Sequence, residues 1–278
     1  MESLRMIENW PVPHAAAAVV RGADGAVLGA HGPQQHLFPL ASVTKLLTSY
    51  AALVAVEEGV FELDDPAGPP GATVRHLLAH TSGLGFDEDR VFGVPGKRRL
   101  YSNAGFDALA RALSEAAGIE FSRYVAEAVF EPLGMTDTLL HTAHKSPAGA
   151  GGLSTVADLA RFAAELQAPK LLDPSTVLRA TREVAFPGTS GVLPGYGHQR
   201  PNDWGLGFEI RDEKSPHWTG SANSPGTFGH FGQSGTFLWV DPRAGVACVA
   251  LTDRDFGPWA VETWPAFSDA VLGELAKD

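Results

Sequence analysis

The chain has 278 residues, 44% of them apolar, enough to bury a substantial core in one large domain or two intertwined lobes. Its 21 Lys and Arg stand against 32 Asp and Glu, and the net charge of −11 repels phosphate backbones and anionic membranes, so nucleic acid is not an expected partner. The single cysteine, Cys248, excludes an internal disulfide and any multi-cysteine metal site, and its apolar run Gly245 to Leu251 reads as a core strand.

Met1 to Trp10 carries acids where an export signal carries bases, and no run reaches the roughly 18 apolar residues of a membrane span. A cytoplasmic protein with no membrane contact is expected. Ala15 to Val20 and Ala26 to Ala30, joined by Arg21-Gly-Ala-Asp-Gly25, predict a hairpin. Phe38-Pro-Leu-Ala-Ser-Val-Thr-Lys45 then opens an apolar run, Leu46 to Val56, that predicts a buried helix of about four turns. By itself Ser42 at that start is a helix cap. Lys45 changes the reading: it lies one turn on along the same face, its amine in reach of the Ser42 hydroxyl, where a core-facing helix has little other use for a lysine.

Asp64 to Gly71 is a proline-rich loop, and Thr73 to His80 resumes as a helix closed at Thr81-Ser82-Gly83. Phe86 to Arg99, charged and glycine-rich, reads as an exposed excursion of the kind that shapes a cleft. Tyr101-Ser-Asn103 leads into a helix over Ala104 to Ala117, with Phe106, Leu109, Ala110 and Leu113 on one face and Gly118 as its stop. Phe121 to Phe130 is a short helix. Gly149 to Thr155 reads as a flexible turn whose Ser154 or Thr155 caps a helix over Val156 to Leu166, and Asp173-Pro174 starts another.

Past the glycine- and proline-rich Gly188 to Arg200, the segments Trp204 to Ile210, Phe237 to Val240 and Val246 to Thr252 read as strands. Trp259 to Leu275 closes the chain as a helix that Pro265 starts or bends. This order predicts a discontinuous α/β lobe from residues 12–60 and 201–278 around a mainly helical lobe, 61–200, the two forming one domain.

Three separated motifs carry the chemistry: Ser42-x-x-Lys45, Tyr101-x-Asn103, and Gly229-His-Phe-Gly-Gln-Ser-Gly235 leading into a strand. Singly, each has a plain structural reading: Tyr101 packs a helix start, Asn103 is a turn amide, His230 is structural, and the glycine run approaches a hairpin without matching a phosphate loop. His76 and His80, four apart but without the Glu of a zincin, have core or capping roles, and His141 and His144 are surface residues. No metal or cofactor is expected.

Taken in order, the three motifs resemble the serine β-lactamase and penicillin-binding protein-like family in its class C branch, with carboxylesterase and D-aminopeptidase relatives. Leu77 to Leu84, Pro132-Leu-Gly-Met135 and Gly151 to Leu159 resemble the same family, so the likeness runs from about Ala15 to Thr252. It implies an α/β (α+β) fold, an antiparallel sheet flanked by terminal helices plus an all-helical lobe. It also implies that Ser42 forms an acyl-enzyme, activated by Lys45 or Tyr101, with the choice between these two bases open. Asn103, His230, Gly232 and Gln233 would contact substrate, the oxyanion lying between the backbone N–H groups of Ser42 and Gln233.

One departure bears on substrate. Many members carry Lys-Thr-Gly at the third motif, where this chain has His230-Phe231-Gly232. A largely neutral histidine holds a substrate carboxylate less well than lysine, so an esterase-like hydrolase with weak or absent β-lactam turnover is expected. Phe231 and Trp204 would make the cleft apolar. The expected partner is a small ester, amide or lactam, and the oligomeric state is open. A rival reading is a ligand-binding protein that keeps the pocket and has lost turnover; an α/β-hydrolase is disfavoured because no Gly-x-Ser-x-Gly elbow is present.

Overall fold

A computed structural model describes residues 1–277. After a 3-10 helix over Glu2–Asn9, the chain forms the hairpin β1 (Ala15–Arg21) and β2 (Val27–His31), then β3 (Phe38–Pro39), a 3-10 turn at Ala41–Val43 and α1 (Thr44–Glu57). The middle follows as α2 (Val74–Leu78), α3 (Asn103–Ala117), α4 (Phe121–Val125) continued by a wider-wound turn at Ala126–Phe130, β4 (Leu139–Leu140), α5 (Pro147–Ala150), β5 (Gly152–Ser154), α6 (Val156–Gln167) and α7 (Pro174–Arg182). A small hairpin, β6 (Gly191–Leu193) and β7 (Gly197–Gln199), precedes β8 (Glu209–Ile210), β9 (Phe228–Gly232), β10 (Thr236–Asp241), β11 (Val246–Thr252) and α8 (Pro258–Leu275).

The main sheet runs β2-β1-β11-β10-β9-β8, antiparallel throughout, so an N-terminal hairpin is completed by strands from the far end of the chain. Period-two alternation sends the two sides of each central strand into separate cores. Ala16, Ala18, Leu238, Val240, Val249 and Leu251 face the core shared with α1, α3 and α6. Ala17, Val19, Phe237, Trp239 and Cys248 face a tryptophan-rich layer against the 3-10 helix and α8, with Trp10, Trp259 and Trp264. Cys248 is therefore packing. Among the described residues, no helix is long and apolar enough to cross a membrane.

Several sequence expectations need correction. α2 ends at Leu78, and the left-handed residue that follows it is His80 (φ 55°), with Gly83 (φ 90°) further into the loop. Residues 149–155 form part of α5 and then β5, in place of a flexible turn; β5 pairs with both β3 and β4. The strand expected at Trp204 to Ile210 survives only as β8, because Gly205 and Gly207 (φ 87°) turn the backbone tightly against Ala180 and Ser49. α8 starts at Pro258 and contains Pro265 within it. α6, within the stretch 61–200, packs on β1 and β11, which ties the helical region to the sheet.

Candidate active site

Ala41 sets up the site. Its φ of 44° is a left-handed conformation that costs a non-glycine residue about 1–2 kcal/mol, and it swings the chain from β3 into the 3-10 turn that carries Ser42. Hydroxyl groups from the β9–β10 turn hold that strained corner: Ser234 Oγ donates to the Pro39 carbonyl (2.6 Å) and Thr236 Oγ1 to that of Leu40 (2.9 Å). Gly232, at the end of β9, packs so closely that an added methyl carbon would stand 3.1 Å from the Ser42 nitrogen and overlap the Leu40 carbonyl oxygen. The end of β9, one residue before Gln233, is thus pressed against the backbone of the turn that carries Ser42.

Lys45, fully buried in the first turn of α1, points its Nζ to three oxygens: Asn103 Oδ1 at 2.6 Å, the Gly149 carbonyl at 2.7 Å and Ser42 Oγ at 3.2 Å. The Asn103 amide is oriented by its other end, where Nδ2 donates to Asp87 Oδ1 (2.8 Å), itself held by Lys145 (2.6 Å). Burial lowers the Lys45 amine from its ordinary value to about 7, against the opposing pull of Asp107 and Asp87. Its Nζ also lies 4.7 Å from the Tyr101 ring centroid.

The Tyr101 hydroxyl lies 2.8 Å from His230 Nε2. Burial pushes the phenol above its ordinary range, partly countered by a hydrogen bond with Ser42 and reinforced by the charge of Glu209. Burial, with the nearby Lys45 charge, lowers His230 to about 3, so this histidine is neutral through the physiological range. Its Nδ1 has no hydrogen-bond partner among the described residues.

Ser42, Tyr101, His230 and Gln233 open onto one cavity of about 580 Å³, lined also by Leu84, Phe86, Phe92, Val192 and Phe231, with no carboxylate among its lining residues. All seven residues expected from the sequence therefore meet here: Ser42, Lys45 and Asn103 in one bonded group, Tyr101 beside Lys45 and bonded to His230, and Gly232 and Gln233 along the turn that carries Ser42. Trp204 lies behind the site, 5.1 Å from the His230 ring and 4.6 Å from that of His80.

Other contributors escaped the sequence reading. The Gly149 carbonyl has no side-chain signature. Asp87 sat in a stretch read as solvent-exposed. Arg99, read as part of that same excursion, is buried, and its guanidinium donates to the Ala79, Asn202 and Ala185 carbonyls and to Thr189 Oγ1. Behind Trp204 and His230, the buried Glu209 accepts from Lys214 (3.1 Å) and Trp218 (2.7 Å). His80 accepts from the Ser102 backbone at Nδ1, and His76 completes the N-terminal capping box of α2, as the structural reading of this pair expects. Elsewhere His14, His36 and Asp253 bring potential ligand atoms within 4.8 Å of one another, with His14 Nδ1 already 2.6 Å from the Asp253 carboxylate.

A family profile described as Beta-lactamase matches residues 7–271. The crystal structure of a beta-lactamase from Mycobacterium bovis is 60% identical and superposes with a TM-score of 0.95 over 98% of this chain and 99% of its own. EstCE1, described as a hydrolase with promiscuous acyltransferase activity, shares the fold at a TM-score of 0.80 with 20% identity, covering 98% of this chain and 96% of its own. The D-alanyl-D-alanine-carboxypeptidase/endopeptidase AmpH of Escherichia coli K12 is 30% identical over 136 residues, 36% of this chain and 35% of its own length. The chain spans about a third of the length of the curated relatives it matches.

Proposed function

The chain belongs to the beta-lactamase family of hydrolases, and on that premise we propose that it is a serine hydrolase in which Ser42 is acylated by small esters, with Lys45 as the base. The hydrogen-bond inventory of Lys45 Nζ carries this reading. A neutral amine has two N–H groups and one lone pair. Asn103 Oδ1 and the Gly149 carbonyl can only accept, so they take both N–H groups and leave the lone pair to the third neighbour, the Ser42 hydroxyl. An amine with a pKa of about 7 is half deprotonated at neutral pH, where a general base works best.

In acylation Lys45 takes the Ser42 proton as Oγ bonds to the ester carbonyl carbon. The negative charge passes to the carbonyl oxygen, received by the Ser42 and Gln233 backbone N–H groups. As the C–O bond to the alcohol breaks, the leaving alkoxide takes from the Lys45 ammonium the proton that had come from Ser42. Tyr101, kept protonated by burial, suits the part of hydrogen-bond donor better than that of base. In deacylation Lys45 takes a proton from water, the resulting hydroxide adds to the acyl carbonyl, and Ser42 Oγ leaves with the proton returned by Lys45.

The neutral His230 supports esters over substrates anchored by a carboxylate, since no permanent cation stands at this third motif. The absence of a carboxylate from the cavity lining weighs against substrates with a free amine, because nothing there would pair with the ammonium. Intact-mass spectrometry after exposure to a fluorophosphonate should show one adduct on Ser42, lost in Ser42→Ala, and p-nitrophenyl butyrate should turn over faster than a cephalosporin. No adduct at Ser42 overturns the assignment. Rapid labelling without turnover of any ester favours the ligand-binding reading.

A further inference from the structure

Three of the ten exposed large apolar side chains among the described residues line the Ser42 cavity. Phe86 (54% exposed), Phe92 (47%) and Val192 (59%) line the cavity and continue outward to solvent; Val91 (51%) and Val94 (66%) flank them on the same excursion. Single exposed apolar residues are ordinary, but an apolar group contiguous with a pocket marks a surface that a ligand covers.

The rim is built. Phe92 N–H donates to the Gly83 carbonyl (2.8 Å) and Gly85 N–H to that of Arg90 (2.9 Å), closing the loop on itself. The Phe92 ring packs directly on Gly85, where a methyl carbon would come within 2.6 Å of it. Arg99 N–H donates to the Ser190 carbonyl (3.0 Å), and Arg99 bridges Gly191, which ties the excursion to β6, whose Val192 lines the same cavity as Phe92. The Phe86 ring stacks on Tyr101, 5.9 Å between centroids, so an aromatic pair links the rim to the site hydroxyls. Of the two cations among the lining residues, Arg99 is buried with its donors on carbonyls and Thr189, whereas Arg98 is exposed at the rim with one long contact to the Phe92 carbonyl (3.4 Å).

We infer that the substrates are esters carrying an extended apolar chain, whose far end leaves the cavity across Phe86, Phe92 and Val192. This deepens the proposed serine-hydrolase reading and rests on it. A preformed apolar channel without carboxylates, joined to the nucleophile, fits an alkyl chain better than a short acetyl group, which would leave the whole rim in water. The net charge of −11 makes an anionic membrane a poor alternative occupant.

The test is kcat/KM for p-nitrophenyl esters from acetate to octanoate and for alkyl acetates from ethyl to octyl, all below their aggregation limits. A fully buried methylene is worth about a fourfold gain, so a rise of at least about twentyfold along one series is expected, with the outer carbons on a half-open surface. Phe92→Ser and the milder Val192→Thr should each cut the long-to-short ratio at least about fivefold, a comparison internal to each variant and checked against its thermal melt. A flat or falling profile in both series, with Ser42 still labelled by fluorophosphonate, overturns the inference and leaves the hydrolase reading standing. Failure of that labelling instead strikes the hydrolase reading. Sedimentation showing a dimer that Val192→Thr dissociates, with the chain-length ratio unmoved, would assign the patch to a second copy of the chain and also overturn the inference.

Discussion

Lys45→Met separates what the buried amine does for catalysis from what it does to stability. Burial lowers the folded-state pKa of Lys45 from 10.5 to about 7, so at pH below 7 the folded protein carries a penalty of about 5 kcal/mol relative to an unfolded chain whose lysine is freely charged. The sign follows from proton counting. Between the two pKa values the unfolded state holds more protons than the folded one, so stability rises with pH across that window. From pH 6 to pH 9 the wild type should gain about 2–3 kcal/mol from this group alone. Methionine fills a similar volume with no charge, which removes the penalty but leaves Asn103 Oδ1 and the Gly149 carbonyl without their donor, a loss of about 1–3 kcal/mol each. The variant should therefore be about as stable as wild type at pH 6 and less stable at pH 9, while ester turnover falls by at least about a thousandfold. Urea melts of both proteins at the two pH values, read as a difference, cancel every other titrating group. A difference that does not change between pH 6 and pH 9, together with a wild-type kcat/KM profile that shows no rise through about pH 7, would refute the account of Lys45 as a neutral base.

Tyr101→Phe removes the hydroxyl that meets His230 Nε2 and should lower kcat by about 10²–10³ while Ser42 remains labelled by fluorophosphonate, with a stability loss of about 1–3 kcal/mol in a denaturant melt from the histidine nitrogen left alone. His230→Lys puts an amine at the third motif. Stopped-flow acylation by a cephalosporin, relative to p-nitrophenyl butyrate, should rise at least about tenfold, at the expense of a lower melting temperature because that position is fully buried. Gly232→Ala forces a methyl group against the Leu40 carbonyl and Ser42 nitrogen; ester kcat/KM should fall at least about a hundredfold, with circular dichroism close to wild type.

The parts of the site visible in the sequence were those with a local period or a rare side chain in an unfavourable place. Ser42 and Lys45 share a helical face, and a lysine in an apolar helix has to be explained by a partner. The hairpin β1–β2, α1, α3 and the β10–β11 pair announced themselves through alternation, helical period and turn residues. What escaped was set by contacts between distant segments. Arg99 reads as a loop charge until Ala79, Ala185 and Asn202 bring their carbonyls around it. Residues 149–155 look flexible because they are small, but the Gly152 N–H donates to Thr44 Oγ1 and the Gly149 carbonyl receives Lys45; small residues are what let the backbone come that close. Trp204 to Ile210 has the aromatic and branched content of a strand, yet Gly207 at φ 87°, with Ser49 against it, bends the chain before β8.

The sheet order carries a consequence for biosynthesis. β1 leaves the ribosome long before β11, its partner on one side, so that Ala18 must wait for Val249. At translation speeds of about 5–20 residues per second this is a delay on the order of ten to fifty seconds, during which the hairpin presents an unpaired edge and two greasy faces. The serine corner shares that wait, since the hydroxyls of Ser234 and Thr236 that clamp it arrive with the same late strands. Until β9 and β10 have emerged, the turn that carries Ser42 therefore lacks two of the hydrogen bonds that hold it, and the hairpin stays exposed beside it.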